Sequence, residues 1–541
     1  MRWQLSFLAL GLVLLAGPGL WADPPKPADS KPDPYALAAK IDKILLDKMK
    51  DAGVEPAPAA ADDEFLRRVM VDVVGRIPLT SEYYNFMGDK SAAKRHEMVD
   101  KLLDTPGYVN HFTNIWRTLL MPEASTDFNI AYMQIGFDNW LQRQMRENKP
   151  YDQFVRDLIT APIGQRRNEQ YVDVFSGREN PLAFFAAKDA KPENIAAATA
   201  RIFLGINIEC AQCHNHPFAR WSREQFWGTA AFFAGIERQG TQFYQPMREV
   251  YDRREISIPN DPKEKVVQAS FLDGKEPQWK FQTSSRNTLA EWITSDDNPF
   301  FARATVNRYW YIFFGVGIVD PVDDFNDENK PSHPELLDEM AKAFIAAKYD
   351  TKFLIRAITA TQAYQRTSAL ANTSQTADMR LFARMPIKAM SGDQLFDSVA
   401  TAVSYQDQFR GRPAIIFGGN TPRTQFMSKF NSTHKPTEAQ TSILQALMLM
   451  NGDFVNSQTN PDNVSKSLEP STFGAIVDAP FMSTERKVEA MYIAALGRKP
   501  NADELQKLVK HIETGDAAKQ RQRIGDAFWT LLNSVEFRVN H

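Results

Sequence analysis

Cysteine is almost missing from this chain: two residues in 541. A disulfide-stapled scaffold is excluded. A positive excess is missing too. Lys and Arg number 63 against 66 Asp and Glu, for a net charge of −3. No surplus exists to neutralise phosphates, which argues against a dedicated nucleic-acid binder. Beyond the first two dozen residues no stretch is apolar enough, over sufficient length, to read as a membrane helix. The chain also lacks G-x-S-x-G, H-E-x-x-H, a P-loop and G-x-G-x-x-G. Gly315-Val316-Gly317 is followed by Ile318, Val319 and Asp320, so it fails the last of these. An enzyme is not thereby excluded, because paired catalytic carboxylates leave no trace in sequence.

What is present is an ordinary globular composition. Apolar residues are 43% and charged residues 24%, enough for real cores. At roughly 150 residues per domain the length suggests two to four domains. The start is different. Arg2 precedes an apolar run from Leu5 to Leu15, then Gly-Pro-Gly and Leu20-Trp21-Ala22. This reads as a secretory signal peptide over residues 1–22. The expected location is periplasmic or secreted, with no transmembrane segment after cleavage. Residues 23–35 read as an extended Pro-rich linker.

The body reads as helices. Ser222 with Gln225, Ser332 with Glu335 and Asn501 with Glu504 have capping-box spacing. Helices are expected over Phe300 to Phe313, stopped by Gly315, and over Glu485 to Leu496, stopped by Gly497. Another is expected over Thr437 to Met450, with Ile443, Leu444, Leu447 and Met450 on its apolar face. The stretch Glu249 to Gln282 differs. Ile256-Ser257-Ile258, Val266-Val267 and Trp279-Lys280-Phe281 read as short strands between turns. The expected class is mainly α. A helical domain at 36–240 and a second at 284–541 flank a small β-rich insert at 241–283. Gln406 to Ser432 reads as a long loop.

Both cysteines fall in one nonapeptide, Cys210-Ala211-Gln212-Cys213-His214-Asn215-His216-Pro217-Phe218. Chance would give this Cys-x-x-Cys-His arrangement about once in 18,000 such chains, so the cluster is selected. C-x-x-C-H is the c-type haem attachment pattern. Two thiols three residues apart reach the two vinyl groups on one porphyrin edge, and the adjacent imidazole reaches the iron. Cys210 and Cys213 are then the thioether anchors of haem c, and His214 is the proximal ligand. His216 lies too close in sequence to reach the opposite haem face. Three other chemistries use the same residues. His214 and His216, with the thiols, suit another transition metal. Cys210 and Cys213 suit a disulfide or a redox dithiol.

Other constellations have plainer readings. Met448 and Met450 read as core packing, and His96 and His111 as surface or satisfied core histidines. Asp320, Asp323, Asp324, Asp327 and Glu328 form an acidic loop. Such a loop can hold Ca²⁺, but this one lacks EF-hand spacing. The plainer reading caps helices and pairs with Arg303 or Arg308, with His333 a surface residue at the next helix start. Asn307-Arg308 with Trp310 could line a pocket, but Arg308 reads first as an ion-pair or carbonyl-binding residue.

Phe65-Leu66-Arg67-Arg68, Asp72 to Pro78, Leu102 to Tyr108 and Cys210 to Phe218 together resemble the second planctomycete cytochrome-like domain, a domain of unknown function. Ala302 to Arg308, Phe314 to Phe325 and Ser332 to Leu337 resemble the planctomycete-specific domain that usually follows it. Ala494 to Pro500 and Leu532 to Phe537 fit that domain too. The resemblance implies an exported protein and leaves its activity open. The first domain usually has Asp where this chain has Asn215. The expected function is extracytoplasmic electron transfer or redox chemistry on haem c, with a redox or envelope protein as partner. The alternatives are a non-haem metal-dependent extracytoplasmic enzyme acting on polysaccharides, and a non-catalytic envelope scaffold with a Cys210–Cys213 disulfide.

Overall fold

Ten consecutive residues from Phe65 to Val74 are buried on one helix, Asp62–Val74. A helix apolar or enclosed all round belongs in an interior, and this one serves two. Phe65, Leu66, Val69, Met70, Val73 and Val74 pack into a large apolar core that draws on residues from Leu37 to Met385 and on Ile493. Val71 of the same helix, with Ile77 just beyond it, packs into a second core. The rest of that second core comes from Met390 to Phe537.

A computed structural model describes residues 32–164, 178–216, 219–238, 247–369, 378–406, 421–430, 448–466 and 471–541. Residues 33–541 make one compact unit. The fold is mainly α, as expected, with three small two-stranded sheets among the described residues. The aromatic content fills the interior: Trp116, Trp310, Tyr108, Tyr309 and Tyr364 are among its largest fully buried side chains. Each buried side chain of this size contributes about 1.5–3 kcal/mol. The signal-peptide and most linker positions, and most of the helix expected at Thr437 to Met450, lie outside the described residues.

The capping boxes at Ser222–Gln225 and Asn501–Glu504 form as expected. Helices Phe301–Phe314 and Thr484–Leu496 end at left-handed Gly315 and Gly497. Two antiparallel pairs form here, one within the expected β-rich stretch and one that begins before it, at residues expected in the helical domain. Ile236–Arg238 pairs with Met247–Glu249, and Glu255–Ser257 with Val266–Gln268. Their Ile236, Met247 and Ile258 join the large core, as do Phe271 and Leu272 beyond them.

Four details correct the sequence reading. Trp279 to Phe281 is not a strand; Trp279 is held by the Arg254 guanidinium 4.3 Å from its ring centre, not by a ladder. The expected loop at 406–432 contains a helix, Pro422–Phe430, whose stacked Phe426 and Phe430 give it a buried face. Met450 is exposed although Leu449 beside it is buried, because neighbouring helical positions point apart. Ser332 is not a helix cap. The helix is Pro334–Ala346 with His333 at its cap position, since Pro334 presets the first helical residue.

Charged side chains staple the last residues of the chain to helix Asp62–Val74. Buried Arg67 donates to the carbonyls of Ala495 (3.2 Å), Glu536 (3.2 Å) and Phe537 (3.0 Å). Burial pushes its guanidinium down to about 10, so it stays charged at neutral pH. Arg68 donates to the carbonyls of His541 and Tyr364 and pairs with Glu64. Asp72 accepts from Tyr364 Oη (2.8 Å), Lys388 Nζ (2.8 Å) and Asn540 Nδ2 (2.7 Å). Its buried charge is thus paired and hydrogen-bonded, as low-dielectric surroundings require.

Candidate functional site: the Cys-x-x-Cys-His loop

The loop is launched by an irregular helix end. Helix Pro192–Thr199 passes into a π turn, Ala200–Leu204, closed by Gly205 at φ 67°. A π turn marks a local widening of the backbone, frequent at functional sites. A Cβ at Gly205 would sit 2.8 Å from the Phe325 ring and 3.1 Å from the Ala304 methyl. Only glycine meets both the left-handed conformation and the close approach. Ile206 and Ile208 then enter the core with no exposure.

Cys210 follows on a 3₁₀ turn, Glu209–Gln212, with Cys213 just beyond it at the cap position. Ala211 is fully buried, while Cys210 and Cys213 are exposed and not joined in a disulfide. Ala211 therefore anchors the loop, while both thiols are open to solvent. Trp227 Nε1 donates to the Gln212 carbonyl at 3.1 Å, fixing the turn from helix Arg223–Ala230.

His214 is exposed, with Nδ1 2.7 Å from the carbonyl oxygen of Asn215. A carbonyl only accepts, so Nδ1 carries the proton, and in the neutral ring Nε2 is the atom left with a lone pair. The Asn215 side chain faces elsewhere. Its Oδ1 accepts from the Arg223 backbone N–H at 3.0 Å, at the start of the next helix. The usual Asp at this position could make the same bond. The His216 backbone N–H donates to the Trp221 carbonyl.

The acidic loop and the Asn307-Arg308 pair clamp the approach to the cysteines. Buried Arg308 donates to the carbonyls of Arg201 (3.3 Å) and Ile202 (3.2 Å) and pairs with Asp323. Phe325 N–H donates to the Gly205 carbonyl at 2.8 Å. Asn307 exchanges two hydrogen bonds of 2.9 Å with the Val319 backbone. Asp323 thus pairs with Arg308 as expected, while Arg303 pairs with Asp338 instead.

Among the described residues no group of three or more His, Cys, Asp and Glu is placed to hold a metal ion. His214 and His216 do not gather the thiols into such a set, nor does the acidic loop. His111 is buried with its ring edge-on to Phe112, and His96 lies against Tyr35 with ring centres 4.5 Å apart. His333, expected at the surface, is 3% exposed. Its ring lies against Phe382, 5.7 Å between ring centres, and Ser332 beside it is tied to the Ile318 carbonyl, neither of which the sequence pattern around a helix start reveals.

Comparison with known families fits this arrangement. The family model PSCyt2, a protein of unknown function (DUF1549), matches residues 40–238, and the model PSD1, a protein of unknown function (DUF1553), matches residues 285–418. The chain thus carries matches to these two domains one after the other, in the order its motifs suggest. The Cys-x-x-Cys-His loop lies in the first matched segment, and the Arg308–Phe325 clamp in the second. Neither a search of curated proteins nor one of solved structures finds a match.

Proposed function

We propose that the protein is an extracytoplasmic c-type haem protein, with Cys210 and Cys213 as thioether anchors and His214 as the iron ligand. One observation carries this reading. Two thiols outside any disulfide stand exposed three residues apart, one on a 3₁₀ turn and one at its cap, followed at once by an imidazole whose Nδ1 is held by a backbone carbonyl. That bond leaves Nε2 as the donor atom and orients the ring, as outer hydrogen bonds do for metal-ligating histidines. The buried Ala211, the Trp227–Gln212 bond and the Arg308 clamp hold the loop in place. Haem, when bound, supplies one-electron exchange at a potential tuned by its ligands and surroundings. Exposure of the thiols suits both attachment and approach of a redox partner. The signal-like start of the chain supports export to the compartment where attachment takes place.

The test is the intact mass and absorption spectrum of the full chain produced with a c-type maturation system in an oxidising compartment. The expected result is one haem of added mass and a Soret band. A bare chain without a visible band overturns the reading, and a mass two protons lower moves it to a disulfide clamp.

A further inference from the structure

His333 caps helix Pro334–Ala346, yet no side chain closes that helix end. The imidazole is buried, 3% exposed, and its Nε2 has no hydrogen-bond partner. Its Nδ1 lies 3.0 Å from Ser332 Oγ, which in turn donates to the Ile318 carbonyl at 3.2 Å. The hydroxyl has spent its proton on the carbonyl, so it accepts from Nδ1–H. Nε2 of the neutral ring is then a lone pair, buried and unmatched, and such a group costs free energy unless something donates to it.

His333 lines a cavity of about 280 Å³ that is also lined by Lys48, Lys330, Ser332, Asp378 and Arg380. Among the described residues none of the three cations has a carboxylate within ion-pair distance. Arg380 donates through Nη2 to the carbonyls of Ile318 and Lys330, both at 3.2 Å, while its buried Nε has no partner. Asp378 Oδ1 accepts the Arg380 backbone N–H at 2.9 Å. The cavity therefore offers three positive charges and spare N–H donors, with two acceptors among them, His333 Nε2 and the Asp378 carboxylate.

We infer that this cavity binds an oxyanion that still carries a proton near neutral pH, namely inorganic hydrogen phosphate. The cations neutralise the charge, Arg380 and the lysines donate to its oxygens, and the remaining acidic O–H donates to His333 Nε2. A fully deprotonated oxyanion has acceptors only. Sulfate has no O–H and would leave Nε2 unmatched, and this difference gives selectivity. The site is independent of the cysteine loop and of whatever that loop carries.

Calorimetric titration of the full chain near neutral pH tests this, with inorganic phosphate, glycerol phosphate and sulfate at matched ionic strength. One equivalent of phosphate should bind, at least about tenfold tighter than sulfate. Glycerol phosphate, mainly a dianion without an acidic O–H near neutral pH, should bind more weakly than inorganic phosphate, and tighter binding of it would overturn the inference. Lys48→Gln, at an exposed position, should weaken phosphate by about tenfold without unfolding the chain. His333→Phe should bring the phosphate and sulfate affinities together. No phosphate heat up to about 10 mM, or equal affinity for sulfate in the unaltered protein, overturns the inference.

Discussion

Arg67 Nη2 lies 3.0 Å from the carbonyl oxygen of Phe537, a residue 470 positions further along the chain. The same guanidinium reaches Glu536 and Ala495. A motif near the start of the first matched domain is thus a fastener for the chain's last turn and strand. Arg67→Met should leave those carbonyls without donors in a dry site. The expected loss is about 2–4 kcal/mol in denaturant unfolding. A change within about 0.5 kcal/mol would remove the fastener role.

Gly205→Ala puts a methyl group into the Phe325 ring at a left-handed backbone position. The strain and the overlap together should cost about 1–3 kcal/mol. Because Gly205 launches the cysteine turn, haem yield in the maturation host should fall more steeply than soluble yield. Equal losses would mean that the glycine serves only folding.

Cys210→Ser and Cys213→Ser change exposed groups that are not disulfide-bonded. Each should alter stability by no more than about 0.5 kcal/mol before haem is attached. Each should also remove one thioether, leaving haem that acid acetone extraction releases more readily. A larger loss of apo-protein stability in either variant would show that the thiols do structural work.

His333 gives the protein an acid limb. Burial is the largest cause of its lowered pKa, followed by the Lys48 and Arg380 charges, with Asp378 opposing; together they push the imidazole down to about 4. The unfolded ring titrates near 6.5. Above that pH neither state binds the proton. As pH falls from about 6.5 to 4 the unfolded chain takes up a proton that the folded chain refuses. Stability is therefore complete above about 6.5, falls through this window by up to about 3 kcal/mol, and levels off below it. His333→Phe should flatten that limb in denaturant midpoints measured from pH 7 to 4. Parallel curves for the two proteins would assign the acid sensitivity elsewhere.

Local signals in the sequence translate well into structure. Capping boxes at Ser222 and Asn501, and the glycine stops at 315 and 497, depend on neighbours within a turn, so spacing alone reveals them. The pairing of Arg308 with Asp323 was within reach because the two are 15 residues apart. Long-range placement was not. Nothing near Arg67 hints at Phe537, and nothing near Ser332 announces that Ile318 folds back to claim its hydroxyl. The cavity around His333 draws Lys48 from helix Pro34–Asp51 and Arg380 from well inside the second matched segment, so no window of sequence contains it. The cysteine motif is the reverse case. Its residues are contiguous and easily seen, but only the structure shows that both thiols are open to solvent while Ala211 is buried.

Helix Asp62–Val74 lies under two cores whose later members run to Phe537. A chain emerging from its amino end exposes this helix long before Val488, Leu496 and Phe537 exist to cover it. Such distant pairing is slow to form and leaves apolar surface open meanwhile. Maturation of the whole molecule is thus set by the arrival of its final residues. A chain that stalls before them should be a substrate for chaperones and proteases, not a stable fragment.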